Sequence, residues 1–428
     1  MRLMRKIVKL IRFVRPLFPQ WLVNYCYHLP QAVIASYLYG NPGSDLEIIG
    51  VTGTDGKTTT SNLIYQILKT AHKKVALIST VGAKIGNKTV NTGFHVTSPN
   101  PFALQRFFRQ MRSRKIRYVV LEVTSHGIDQ FRFYPLRTAV SVLTNITHEH
   151  LDYHKTFAHY RDTKLKLLKT ADHAVVNKDL AIFPEINAHL AKVLFSTYSI
   201  HNPSQLQAEN VVYSPNLITF TLGKTAYSLP MSGEYNLNNA LAAISTALLL
   251  GISPSDIKRG LNSFKGVPGR LESIPNQKNI HAYVDFAHTP NALQEVLTNL
   301  RSQKKPSAKL IVIFGAAGLR DASKRPLMGV VAAKLADKIV ITSEDPRFEN
   351  PADIAKDIIA GIPAEEQPKV TIELDREKAI NLAIKNLAKS GDWVVSCGKG
   401  HEESMNLDGI SEIPWSDREA MLSALNTK

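Results

Sequence analysis

Short, almost wholly apolar runs alternate with longer amphipathic stretches from residue 46 onward. The runs 46–51, 74–80, 118–123, 139–145 and 174–177 read as strands, with helices over 61–68, 101–114 and 157–169 between them. Strands this apolar are buried on both faces, so the pattern predicts an α/β domain with a mostly parallel sheet and ligands at the carboxyl ends of its strands. A second alternation begins after Val267, with strands over 282–285, 310–314, 338–342, 370–373 and 393–396, and predicts a Rossmann-like α/β domain. The expected division is a short N-terminal element over 1–45, a central domain over 46–266 and a C-terminal domain over 267–428, hinged at 266–269.

The first run leads into Gly50-Val51-Thr52-Gly53-Thr54-Asp55-Gly56-Lys57-Thr58-Thr59-Thr60. Glycines at 53 and 56 let backbone N–H groups converge on a polyphosphate, and the helix N-terminus behind them favours negative charge. Lys57 would reach the β and γ phosphates, and the Thr58 hydroxyl would sit on Mg²⁺. The spacing departs from the general pattern, because Val51 stands where the first glycine is expected. An ordinary strand-to-helix turn explains the glycines but not the lysine and hydroxyl directly after them. The central domain is therefore expected to be a P-loop-type ATPase domain. Polar residues gather at other strand ends too: Glu122, and His148, Glu149, His150 and Asp152 after Asn145. Glu122 and His150 are candidate ligands for a Mg²⁺ already held by phosphates and Thr58.

The loop 53–58, the run Glu122-Val123-Thr124-Ser125-His126-Gly127-Ile128-Asp129-Gln130, and Asn145 followed by His150-Leu151-Asp152-Tyr153-His154 together resemble the Mur ligase family. Within it they are most similar to the branch that adds the third peptide residue to UDP-N-acetylmuramoyl-L-alanyl-D-glutamate. The resemblance continues in collinear order through Asn177, Asn239, Arg270, Asp285-Phe286-Ala287-His288, Lys324-Arg325-Pro326, Gly398-Lys399-Gly400-His401-Glu402 and Ser416-Asp417-Arg418-Glu419. It covers roughly 46–428.

The resemblance implies an ADP-forming, ATP-dependent amide-bond ligase of peptidoglycan precursor synthesis, serving cell-wall biogenesis, cell shape and division through an acyl phosphate. It places Gly53, Thr54, Asp55, Gly56, Lys57, Thr58, Thr59 and Asn145 around ATP, with Asn239, Arg270, Asp285 and His288 completing the site. Lys57, Glu122, His150 and Lys164 take the catalytic roles, and Thr58, Glu122 and His150 serve the metal. Lys164 matches a lysine that relatives carry as a carbamate (N6-carboxylysine); the alternative is a surface lysine on a basic helix. Thr97, Ser98, Ser125, Arg132, Glu344, Asp345, Arg347, Gly398 and Glu402 are implied at the substrates, with the amino acid read by the last domain. The family sequence Asp-Asn-Pro-Arg accompanies meso-diaminopimelate, and here the segment is Glu344-Asp345-Pro346-Arg347. Arg347 keeps a fork suited to a distal carboxylate, while Asp345 puts an anion in place of an amide. Diaminopimelate is the expected amino acid, with lysine behind it.

Full-length relatives carry about a hundred residues before the loop, a domain that grips the uridine nucleotide; this chain has about half that. A short N-terminus is shared by folylpolyglutamate synthases, one of whose motifs is similar to Thr97-Ser98-Pro99. That acceptor class and a lipid-linked acceptor stay open as alternatives, although Thr58-Thr59, Ser125-His126 and Lys324-Arg325-Pro326 side with the muramyl enzymes.

The chain has 428 residues, 44% hydrophobic and 21% charged, which is globular composition with room for two or three cores. Cys26 and Cys397 are too few for a disulfide scaffold and too far apart for a local metal framework, and they fit a reducing cytoplasm. The net charge of +16 is concentrated: Arg2, Arg5, Lys6, Lys9, Arg12 and Arg15 crowd the first 15 residues without an acid, whereas 16–44 contains no charged residue. A cleaved leader is disfavoured by the interrupting charges, and a spanning helix by Pro19, Gln20, Asn24 and Pro30. Two readings of 1–45 remain open: a basic amphipathic element resting on the inner membrane surface, or a small element packed on the next domain. The second basic run, Arg106, Arg109, Arg112, Arg114, Lys115 and Arg117, reads as a solvated helix face. An ATP-driven nucleic-acid protein is the weaker alternative class, since no aromatic-interleaved basic motif accompanies the loop; no nucleic-acid partner is expected, and no oligomeric state is read from the pattern.

Overall fold

The computed structural model describes residues 18–426 apart from 87, 91–97, 148 and 215. Its larger sheet has the order β4-β3-β2-β5-β1-β6-β7-β8-β9. The strands are β1 (Glu47–Thr52), β2 (Val75–Ser79), β3 (Gly82–Ile85), β4 (Lys88–Val90), β5 (Tyr118–Glu122), β6 (Thr138–Leu143), β7 (Ala171–Asn177), β8 (Phe195–Ser199) and β9 (Leu206–Gln207). Only the β2-β3 and β3-β4 pairings are antiparallel.

Successive side chains of a strand point to opposite faces, and here both faces are covered. Ile49, Val51, Leu77 and Val120 join one core with Leu63 and Ile67 of helix Lys57–Thr70, Leu241 of Glu234–Leu249 and Leu261 of Pro254–Asn262. Ile48, Ala76, Val119 and Leu121 join the other with Leu104, Phe108 and Met111 of Pro101–Ser113 and Leu168 of Phe157–Lys169. Arg106, Arg109, Arg112 and Arg114 all lie on the exposed side of their region, the solvated face expected for that run.

The segment 209–229 departs from the parallel reading: β10 (Glu209–Ser214), β11 (Leu217–Leu222) and β12 (Thr225–Leu229) form a separate antiparallel sheet. Ile218, Phe220, Leu222, Tyr227 and Leu229 are buried while the residues between them are not, the alternation of a one-sided sheet.

The smaller α/β sheet runs β13-β14-β18-β15-β16-β17: β13 (Glu272–Ile274), β14 (His281–Asp285), β15 (Leu310–Phe314), β16 (Lys338–Ile341), β17 (Val370–Ile372) and β18 (Trp393–Cys397). All are parallel except β13, which is antiparallel to β14.

Strand register decides which loops meet at the sheet edges. β1 lies between β5 and β6, pairing Val51 with Glu122 and Thr52 with Leu143, so the loop after β1 emerges beside Glu122 and Thr144-Asn145. In the second sheet Asp285 pairs with Cys397, which brings Gly398 to the same carboxyl edge. Between the sheets, a turn closed by a bridge from Val267 to Arg270 holds Gly266 and Gly269 at positive φ.

Candidate active site

The carboxyl edges of the two α/β sheets face one cleft of about 670 Å³. Most residues singled out from the sequence line it. Gly53, Ser125 and Lys164 lie behind its wall, and Thr97 falls outside the described residues.

The glycine-rich loop is shaped by what crowds it. A Cβ on Gly53 would lie 1.8 Å from Thr144 Oγ1, and one on Gly56 2.2 Å from Asn239 Oδ1; both glycines also hold positive φ. No side chain fits either place, so the backbone can come close to an anion there. Asn145 Oδ1 accepts from Thr54 N (3.0 Å) and Asp55 N (2.8 Å), and Thr144 Oγ1 donates to Asp55 O at 2.6 Å. Lys57 is folded back, its Nζ donating to Gly53 O (3.0 Å) and Thr54 O (2.6 Å). Burial pushes the Lys57 ammonium below its ordinary pKa, with Glu122 and Asp55 acting against that. A polyphosphate would supply the missing negative charge and draw the ammonium off the carbonyls.

Thr58 Oγ1 donates to both oxygens of Glu122, at 3.0 and 3.1 Å. Glu122 is buried and further held by Thr80, through its N–H and its hydroxyl, each at 3.0 Å. A hydroxyl and a carboxylate beside a phosphate loop are the hard oxygen donors that Mg²⁺ prefers. Among the described residues no group of three His, Cys, Asp or Glu could hold a metal by itself. The donor set thus fits a metal that takes its remaining ligands from substrate phosphates and water. His150 lines the same cleft, its ring edge-on to His126 at 4.7 Å, and burial depresses its pKa well below the ordinary histidine value.

Lys164 is no surface lysine. It is 2% exposed, donates to Gly53 O at 2.7 Å and lies over the Tyr160 ring. Burial, and then the nearby Lys57, hold its pKa well below the usual lysine range. Tyr160 in turn meets Thr54 Oγ1 at 3.0 Å.

The second sheet closes the site. Arg270 Nη2 donates to Thr58 Oγ1 at 3.2 Å, and its guanidinium lies over Phe286. Asp55 accepts from Thr289 Oγ1 (3.3 Å) and Asn291 Nδ2 (2.9 Å), and Thr289 also caps helix Pro290–Gln303 by accepting from Ala292 N. Asp285 accepts from Leu271 N at 2.6 Å, fixing the turn that carries Arg270. His288 is half-buried, its pKa pushed down to about 3, chiefly by desolvation and then by Lys324.

At one end of the cleft Arg132 donates to Ser98 O (2.9 Å) and to Gln130 Oε1, and Ser98 Oγ meets Thr124 Oγ1 at 2.8 Å. Ser125 meets His154 Nε2 at 3.0 Å. Elsewhere in the cleft Arg347, at positive φ, donates to Gly318 O at 2.8 Å. Asp345 is ion-paired at 3.0 Å with Lys399, which is fully buried and also pairs with Glu402. Glu344 is different: it is buried against Gly398, and its Oε2 has no hydrogen-bond partner among the described residues. Burial pushes its pKa up, opposed by Lys324 and Lys399.

Residues 51–247 match the family model of the Mur ligase middle domain, and 269–400 that described as "Mur ligase, glutamate ligase domain". A protein of Clostridium botulinum named UDP-N-acetylmuramoyl-L-alanyl-D-glutamate--2,6-diaminopimelate ligase is 38% identical over 380 residues, 87% of this chain and 76% of that one. The chain belongs to the Mur ligase family. A ligase of the same name from Geobacillus thermodenitrificans is 37% identical over 413 residues, 93% of this chain and 82% of its own. A solved structure bearing that name superposes with a TM-score of 0.62 at 28% identity, over 92% of this chain and 82% of that one. The folylpolyglutamate synthase of Mycobacterium tuberculosis has a TM-score of 0.70 at 16% identity, covering 87% and 93%, and shares the fold.

In this Mur ligase several contributors escaped the reading of the sequence. Thr80 and Tyr160 hold Glu122 and Thr54 without any local motif. Lys324 pairs with Glu149 at 3.2 Å, both almost fully buried, and Leu151 N donates to Asp321 at 3.3 Å. These contacts tie the loop after β6 to the second sheet, and Glu149 keeps an Oε2 without a hydrogen-bond partner among the described residues. Glu149 stood among the polar residues after Asn145; only its distance from Lys324 in sequence hid the pair.

Proposed function

We propose that this Mur ligase adds meso-diaminopimelate, or lysine in its place, to UDP-N-acetylmuramoyl-L-alanyl-D-glutamate with hydrolysis of ATP to ADP and phosphate. The observation that carries this is the phosphate loop sealed by the second sheet: Arg270 on Thr58, Thr289 and Asn291 on Asp55. A carboxyl group activated between two lobes is shielded from water until the amine arrives.

In this reading an oxygen of the acceptor carboxylate attacks the γ phosphorus and ADP leaves, with Lys57 and Arg270 neutralising charge on the transferred oxygens. The incoming amine then attacks the acyl carbon, loses a proton, and phosphate leaves carrying one former carboxylate oxygen. Thr58 and Glu122, with His150 nearby, would hold Mg²⁺, which neutralises phosphate charge when bound. Lys164 is buried with its pKa lowered, which favours the unprotonated amine that carbamate formation with carbon dioxide needs. With ¹³C-bicarbonate, a carbamate carbon resonance that disappears in Lys164→Ala supports that modification, and its absence from the active protein removes it.

For the amino acid, Arg347 would take the distal carboxylate. Asp345 and Glu402 share the buried Lys399, and Glu344, whose Oε2 has no hydrogen-bond partner among the described residues, would take the substrate ammonium. Arg347→Ala and Glu344→Gln should each raise the KM for the amino acid tenfold or more and leave that for ATP within about twofold; equal effects on both would refute the assignment. Purified protein with ATP, muramyl-peptide and folate acceptors and each candidate amino acid, read by product mass, tests the whole reading. A diaminopimelate-extended muramyl tripeptide is expected, and a glutamylated folate would replace it with the alternative acceptor class.

A further inference from the structure

Residues 20–39 form one nearly continuous helical segment: Gln20–Val23, a widened turn over Asn24–His28, and Leu29–Tyr39. The widened turn sits just ahead of Pro30, whose ring would otherwise clash with the carbonyl four residues earlier. One side of the segment faces the protein. Asn24, Ala32, Ala35 and Ser36 are buried, and Asn24 Nδ2 donates to Asp129 at 2.7 Å. The other side carries Trp21 (63% exposed), Tyr25, Ile34, Tyr37 (85%) and Leu38 (64%), and no charged residue interrupts it. A solvated helix face is ordinarily polar; this one is aromatic and aliphatic.

We infer that this face docks on an anionic lipid surface. Three observations select that occupant. Trp and Tyr beside aliphatic residues form the set that settles at a membrane–water interface. The sequence immediately before it, residues 1–15, supplies six basic and no acidic side chains; its structure lies outside the described residues. The helix on which Leu29–Tyr39 packs, Pro101–Ser113, exposes Phe102 together with Arg106, Arg109 and Arg112. Apolar contact with flanking positive charge is what a surface of acidic headgroups rewards, at roughly tenfold in affinity for each one or two basic residues near it. No helix among the described residues is long and apolar enough to cross a membrane. Asn24, on the packed side, is tied to Asp129, three residues from Arg132 in the cleft wall, so the segment is anchored beside that end of the cleft.

The inference is independent of the ligase reading, and its test does not use catalysis. The full chain is mixed with vesicles of phosphatidylcholine alone or with added phosphatidylglycerol, and the bound fraction is measured by flotation. Binding to the anionic vesicles only, weakened by salt, is expected. Trp21→Gln with Tyr37→Gln and Leu38→Gln should lower affinity at least tenfold. Arg5→Gln with Lys9→Gln and Arg12→Gln, which leaves the exposed face unaltered, should lower it about a hundredfold. No binding of the unaltered chain, or undiminished binding of both variants, would overturn the inference. So would self-association through the same face without lipid affinity, which would assign the face to a second copy.

Discussion

Glu149 and Lys324 carry the most exposed risk at the scale of single residues, because each is almost fully buried and each is the other's counter-charge. Removing one member of such a pair leaves an uncompensated charge, costing about 3–5 kcal/mol. Lys324→Met should therefore destabilise the fold by that order in urea titration, and Glu149→Gln added to it should restore most of the loss; additive losses would show that the two do not act as a pair. His154 offers a pH signature. Burial, then His126 and His159, hold its pKa at about 3, and burial likewise holds His126 at about 4. Above pH 6.5 both are neutral folded or unfolded, and their contribution is complete. As pH falls below 6.5 the unfolded chain takes up protons that the folded one refuses, so stability is lost toward pH 4. The urea midpoint should decline across that window and His154→Asn should flatten the decline; a profile flat from 6.5 to 4 would contradict the buried, neutral histidines. At this scale the sequence told unevenly. Lys57 and Thr58 stand in a contiguous loop, whereas Thr80, Tyr160 and the Glu149–Lys324 pair depend on contacts between residues 42 to 175 positions apart, which no local pattern encodes.

Among elements, the turn around Gly269 is the most constrained. Its φ is +65°, and a Cβ there would lie 2.0 Å from His401 N, a backbone atom that cannot swing aside. Gly269→Ala should displace the turn that carries Arg270 and reduce ATP turnover at least a hundredfold while the protein stays folded by circular dichroism; wild-type turnover would mean that the turn does not position the arginine. The parallel strands were legible because burial on both faces leaves them nearly continuous in apolar residues, and β15 was placed to the residue. The antiparallel β10–β12 sheet was not, although Ile218, Phe220 and Leu222, then Tyr227 and Leu229, alternate around Gly223-Lys224. That period-two signal was present, and was outweighed by the strand–helix rhythm on either side. The N-terminal segment was legible only in part: its packed side is held by small residues and one Asn, which carry no strong signal, whereas its aromatic side is plain in the sequence.

The whole molecule brings two carboxyl sheet edges to one cleft, and the family motifs that lie far apart in the chain meet there. Asp55 with Thr289 and Asn291, and Thr58 with Arg270, join residues more than 200 apart, so the cleft itself could be inferred only through resemblance, not from spacing. Lys57→Ala should abolish ADP formation, and in the unaltered protein ADP should appear only when acceptor and amino acid are both supplied; ATPase activity without them would separate the loop from amide synthesis. The central claim is that a carboxylate is made electrophilic by phosphoryl transfer inside this cleft. Acceptor labelled with heavy oxygen in its reacting carboxylate, turned over with ATP and diaminopimelate, should release phosphate carrying one labelled oxygen; unlabelled phosphate accompanying the same amide product would contradict the account.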